Sequence, residues 1–284
     1  MKQKPLMLRL VEALERLSPP PAPELDMHST DAFIWHPAKT GRAALLEPVS
    51  KIAHVPFDIL YGIDDARDEL YANTKAFTAG LAANHALLWG ARGTGKSSLI
   101  KAIHARINTE NPVSLAIVEI ARGDLGTLPD LLATLRAYDR RFLLFCDDLS
   151  FDYDDTGYKS LKAVLDGGIA GCPDNVLLYA TSNRRHLMPE DMIDNERSTA
   201  IHPSEAVEEK VSLADRFGIS IGFYPIDQDT YIEIIKRYIS TFALKVDKQK
   251  TIDEALQWSI QRGARSGRTA WQFIQHVRAL AHTK

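Results

Sequence analysis

Apolar residues fall along this chain in two rhythms. Between Ala86 and Phe223 short apolar runs alternate with amphipathic stretches, the sign of parallel strands joined by crossover helices. The runs predict strands at Ala86–Trp89, Val113–Ile120, Phe142–Cys146, Val176–Ala180 and Ile219–Phe223. Helices are predicted between them at Lys96–Ile107, Leu128–Tyr138 and Gly157–Leu165. From about Asp227 the strands cease, and helical spacing marks Gln228–Phe242, Ile252–Arg262 and Thr269–Ala281. At the other end, Leu8, Leu10, Val11, Leu14 and Leu17 give a helix over Leu6–Leu17. It stops at Pro19, Pro20, Pro21 and Pro23, whose missing N–H groups and fixed φ forbid continuation. Asp31 to Val55 is apolar-rich but irregular, and Phe33, Trp35, Leu45 and Leu46 are expected to cover a core edge. The expected organisation is an N-terminal helix, linker and arm over 1–56, an α/β domain over 57–226 and an α-helical unit over 227–284.

Composition narrows this only at its edges. A hydrophobic share of 45% and a charged share of 25% over 284 residues exclude a mostly disordered, collagen-like or coiled-coil chain. No run approaches the roughly 18 apolar residues of a membrane helix, and no basic-then-apolar leader opens the sequence. Cys146 and Cys172 are too few for a disulfide framework, so a cytoplasmic, reducing setting is expected. With 34 basic against 37 acidic residues, a strongly basic coat is absent, and nucleic acid is not the favoured partner.

Chemistry enters at Gly90-Ala91-Arg92-Gly93-Thr94-Gly95-Lys96-Ser97, which matches G-x-x-x-x-G-K-[ST] at every fixed position. A predicted strand enters it and a predicted helix leaves it, as a phosphate-binding loop requires. Gly90, Gly93 and Gly95 permit backbone angles that turn successive N–H groups toward one anion, and the helix adds its positive end. Lys96 would reach the β- and γ-phosphates of a nucleotide, and the Ser97 hydroxyl would ligate Mg²⁺. The strand Phe142–Cys146 then runs into Asp147, a natural magnesium partner, and Asp148, placed to polarise an attacking water. A third strand ends in Thr181-Ser182-Asn183, where the Asn183 amide can bond both the γ-phosphate and that water.

These three elements, in this order, resemble an AAA+ ATPase, with a C-terminal α-helical lid closing over a P-loop NTPase sheet. The resemblance spans roughly Asp58 to Ala281 and implies ATP with Mg²⁺ as ligands and Ser98 beside the loop. It implies further roles. Leu213-Ala214-Asp215-Arg216-Phe217-Gly218 is similar to an arginine-finger box, so Arg216 would act on a neighbouring subunit's γ-phosphate within a homo-oligomer. Gly263-Ala264-Arg265-Ser266-Gly267-Arg268 resembles the sensor 2 turn, with Arg268, or else Arg265, contacting ATP. Tyr61, Gly62 and Ile63 stand where such proteins hold adenine. Wording around these motifs is closest to a bacterial branch of predicted ATPases labelled as a domain of unknown function. That leaves two functional classes: a hydrolysing oligomer, and an ATP-gated binding switch or loader with little turnover, acting on a protein partner or in association with DNA. A small-molecule kinase fits the helical tail less well.

Other patterns read as bland. Gly218-Ile219-Ser220-Ile221-Gly222 spells a nucleophile elbow, yet its alternation predicts a strand, not a sharp strand-to-helix turn. Asp152, Asp154, Thr156 and Gly157 imitate a calcium loop but place Ala163 where its bidentate Glu belongs. Arg184-Arg185-His186 and Arg140-Arg141 are tight basic groups that could meet DNA, although such clusters are usually solvated or paired.

Overall fold

The computed structural model describes residues 6–11, 14, 26–112, 115–151, 156–167, 171–185, 187 and 213–281. Seven strands form one sheet: β1 Ala32–His36, β2 Leu45–Pro48, β3 Ala86–Gly90, β4 Leu115–Glu119, β5 Arg141–Cys146, β6 Val176–Ser182 and β7 Ile219–Phe223. Their spatial order is β2-β1-β4-β5-β6-β3-β7, and every pairing is parallel except β1 with β2. β3, which carries the phosphate loop, lies between β6 and β7.

The helices are α1 Asp64–Thr78, α2 Lys96–Glu110, α3 Leu128–Arg136, α4 Thr156–Leu165, α5 Gln228–Thr241, α6 Lys248–Gln261 and α7 Gly267–Ala281. Helices cover both faces of the sheet, so its central strands are buried on each side and read as unbroken apolar runs. All seven residues of β6 are buried. On one face α1 and α2 bring Leu70, Phe77, Leu99 and Ile103 against Leu88, Phe145 and Tyr179. On the other, α3, α4 and residues 213–217 bring Leu131, Leu161 and Phe217 against Leu87, Leu144 and Leu178. A third core joins α5, α6 and α7 through Tyr231, Ile235, Ala255 and Ile274.

The five strands and six helices expected from apolar spacing all occur, with ends shifted by a few residues. The stretch from Asp31 to Val55 is a correction: it is not irregular but supplies β1 and β2. β1 pairs with β4, more than eighty positions away, and the buried Arg140 fixes its entry by bonding the Met27 and Thr30 carbonyls and Asp31. α1 was not expected either. Its buried stripe is only Leu70, Thr74 and Phe77, and Thr74 reads as polar although its hydroxyl is satisfied by the Leu70 carbonyl at 2.7 Å.

Of the predicted N-terminal helix, residues 6–11 and 14 are helical, and Leu6, Leu8, Leu10 and Leu14 are exposed. Its remainder, the proline run, Val113, Asp152, Asp154 and His186 lie outside the described residues. Among the described residues no helix is long and apolar enough to cross a membrane.

Candidate functional site

The cleft lies where β3, β5 and β6 end and α7 comes down on them. It encloses about 640 Å³ between the phosphate loop and the C-terminal helices. The loop's shape follows from its glycines. Gly90 has φ 123° and Gly95, capping α2, has φ 103°. A Cβ on Gly90 would lie 2.0 Å from the Phe223 carbonyl, the group to which the Ala91 N–H donates at 2.9 Å. The loop thus leaves the sheet pinned to the end of β7.

Lys96 is buried with only 6% exposure, and its ammonium donates to the Gly90 and Ala91 carbonyls at 2.8 and 2.7 Å and to Asn183 Oδ1 at 3.3 Å. Burial lowers its pKa, Asp147 and Asp148 work against that, and Arg268 and Arg92 add to it. Ser97 Oγ donates to Asp147 Oδ1 at 2.6 Å, and the Thr181 hydroxyl donates to the same oxygen. These hard oxygen donors suit a small divalent cation such as Mg²⁺. Asp148 takes φ 53°, a left-handed backbone unusual for a residue with a side chain. Its N–H donates to Thr181 Oγ1 at 3.0 Å, and Asn183 Nδ2 donates to its carboxylate. Lysine, hydroxyl, both carboxylates and amide therefore form one linked network.

The cleft's other end is apolar. Val55, Ile59, Tyr61 and Ile63 face Ile234, Tyr238 and Trp271 across it. Arg237 of α5 stacks over the Tyr61 ring, 4.1 Å from its centroid. A planar, mostly apolar ring system fits at this end while phosphates reach the loop.

Of the residues singled out from sequence, Tyr61, Ile63, Arg92, Gly93, Thr94, Gly95, Lys96, Ser97, Ser98, Asp147, Asp148, Asn183 and Arg268 all line the cleft. Gly90 and Ala91 stand behind it, contributing carbonyls to Lys96. Gly62 turns away at φ 76°, where a Cβ would lie 2.7 Å from Thr230 of α5. Arg268 lines the cleft and Arg265 does not; the Arg268 N–H donates to the Gly93 carbonyl at 3.1 Å. Arg216 is not among the lining residues of its own cleft and is ion-paired with Asp166 just past α4.

Thr181, Arg237, Tyr238 and Trp271 escaped sequence reasoning. Thr181 could have been found by strand period, two residues before Asn183, and Trp271 by helix period, one turn after Arg268. Arg237 carried no signal, because its partner is a tyrosine far away in sequence.

A family model described as "Protein of unknown function (DUF815)" matches residues 28–281. No curated protein matches the chain. Among solved structures it is similar to a mutant form of RuvB from Thermotoga maritima, at 21% identity and a TM-score of 0.51, covering 80% of this chain and 66% of that one. It is also similar to AMPPCP-bound DnaA from Aquifex aeolicus, at 17% identity and a TM-score of 0.50, covering 77% of this chain and 62% of that one. The chain thus spans a little under two thirds of those two proteins. The fold is that of an AAA+ P-loop NTPase.

Proposed function

The chain belongs to the DUF815 family, and on that premise we propose that it binds ATP with Mg²⁺ and hydrolyses it to ADP and phosphate as a homo-oligomer. The observation carrying this reading is the single network that links Lys96, Ser97, Asp147, Asp148 and Asn183 inside one cleft. The N–H groups of 90–97 and the start of α2 take the phosphate charge, and Lys96 exchanges its carbonyl partners for phosphate oxygens. Ser97 and Asp147 would hold Mg²⁺, whose bound charge neutralises charge developing on the phosphates. Asp148 accepts the proton of the attacking water, and Asn183 orients that water and steadies the Asp148 carboxylate. Tyr61 and Ile63 pack on the base, and Arg268 answers the nucleotide from α7. We take β1 through β7 as the nucleotide-binding domain and 227–284 as its lid, leaving only residues before the sheet as an arm.

Arg216, away from its own cleft, is the candidate for stabilising a neighbouring subunit's γ-phosphate. The test is ATP hydrolysis by wild type and Lys96→Ala across protein concentration, with light scattering alongside. The expected result is turnover that vanishes in the variant and a specific rate that climbs as an ATP-dependent oligomer forms. A specific rate constant from low nanomolar protein upward overturns the trans arrangement.

One observation favours the second reading, an ATP-gated switch or loader: Arg216 is already neutralised by Asp166. Asp148→Asn separates the two. A switch keeps its ATP-state partner binding in that variant, whereas a motor loses function.

A further inference from the structure

Outside the cleft, the edge of the sheet carries an arrangement that the nucleotide site does not use. Among the described residues β7 is the last strand on its side and pairs only with β3. In that register Trp89 stands opposite Gly222, with Ser220 and Tyr224 two residues to either side and therefore on the same face. Gly222 is what lets the indole lie across the edge strand. A Cβ there would fall 2.8 Å from the Trp89 ring and 3.1 Å from the Tyr224 hydroxyl. Trp89 Nε1 donates to Ser220 Oγ at 3.1 Å, which orients the ring. The two rings meet edge to face with centroids 6.0 Å apart. Tyr224 is 70% exposed, an unusual setting for so large a side chain.

A cation completes the group. Arg185 lies over the Trp89 ring, 5.1 Å from its centroid. Among the described residues no carboxylate pairs with Arg184 or Arg185. The patch therefore offers one exposed aromatic ring, Tyr224, braced edge to face by the half-buried Trp89, and beside them the Arg185 guanidinium, which no described carboxylate pairs. A ligand complementary to it has planar rings at one spacing and negative charge at another. An acidic peptide would answer Arg185 but leave the Tyr224 ring open, and an apolar helix would leave Arg185 desolvated without a partner. A single strand of nucleic acid answers both, because its bases are free to stack and each nucleotide carries a phosphate.

We propose that the Trp89–Tyr224–Arg185 patch is a stacking platform for single-stranded nucleic acid. Duplex fits it poorly, because its bases already stack on one another. The platform is contiguous in sequence with the nucleotide machinery: Trp89 precedes Gly90, and Arg184 follows Asn183. Binding at the platform itself does not depend on the ATPase reading.

The test is fluorescence anisotropy of a 5′-labelled oligo-dT and an oligo-rU with the full chain at low salt, followed by salt titration and competition with duplex. Wild type is expected to bind both single strands, to weaken steeply with salt, and to be displaced poorly by duplex. Tyr224→Ala is expected to weaken binding about 10-fold, the loss of one stacked base. Arg185→Ala is expected to weaken it and flatten the salt dependence, while Lys96→Ala leaves it unchanged. Unaltered ATP binding by the Tyr224 and Arg185 variants shows that they are folded. The proposal is overturned if wild type fails to bind either single strand, if duplex competes equally, or if both platform variants bind like wild type while still binding ATP. Failure of hydrolysis with platform binding intact would sink the ATPase reading alone.

Discussion

A methyl group added at Gly90 would have to share space with the Phe223 carbonyl, and no rotamer exists to move it aside. Its φ of 123° compounds the conflict, since side chains disfavour that backbone independently of space. Gly90→Ala is therefore expected to destabilise the domain by roughly 3 kcal/mol and to abolish nucleotide binding. Urea unfolding monitored with and without ATP checks both; a wild-type midpoint that still rises with ATP would contradict it. Asp148 is the opposite case, a side chain kept at a left-handed backbone because Thr181 and Asn183 bond its N–H and its carboxylate. Such strain is sustained where the surroundings over-determine it, here beside the phosphate loop. Thr181→Val removes bonds to both Asp147 and Asp148 while keeping the shape. It is expected to lower turnover by about 10²-fold with little change in ATP affinity, read as a fall in kcat at nearly constant KM.

Among the elements, α7 is the one that joins the helical bundle to the phosphate loop. Ser266 caps it, accepting the Thr269 N–H at 3.1 Å, and the Arg268 N–H reaches the Gly93 carbonyl. Glycine at 93 keeps this approach open, because a Cβ there would meet Ser266 Oγ at 3.0 Å. Ser266→Ala is expected to cost about 1 kcal/mol and to speed nucleotide release, measured by thermal unfolding and by stopped-flow displacement of a fluorescent ATP analogue. Release at the wild-type rate would show that this cap does not set lid position. The elements also show what a sequence discloses. β3, β5 and β6 were legible because covering both faces of a sheet demands apolar side chains at every position. The phosphate loop was legible because its geometry demands glycine. β1 and β2 were not: β2 is short and half-exposed, ends at Pro48 on the sheet's edge, and offers too few positions for alternation to show. α1 was hidden by a buried threonine, and the contact of Arg237 with Tyr61 by its dependence on how two distant elements meet.

At the scale of the whole molecule, two buried histidines contribute to how stability follows pH. His104 sits inside α2 with 2% exposure, its Nε2 against the Leu115 carbonyl, and burial pushes its pKa down to about 4. Asp31 raises it slightly and Arg140 lowers it, both smaller than the burial effect. His85, whose Nδ1 accepts the Leu178 N–H, is lowered by burial as well. Both are neutral in the folded chain and take up protons more readily when unfolded. Stability is therefore full above about pH 6.5 and falls as pH drops toward the folded-state values, by on the order of 3 kcal/mol for His104. Urea unfolding at a series of pH values is expected to show this slope, and His104→Gln to flatten it. A stability that climbs as pH falls from 7 to 5 would reverse the sign and contradict the assignment.

The bond between Ala91 and Phe223 has a mechanical meaning. β7 is five residues long, about 17 Å, and holds the chain's own phosphate loop at one end. Arg216 stands three residues before its other end. The loop of one site and Arg216 are thus joined by a single short run of backbone that pairs with β3 along its length. In the proposed assembly, the strand that pins one site's phosphate loop would also carry the arginine offered to the next, so the two sites would share one backbone element.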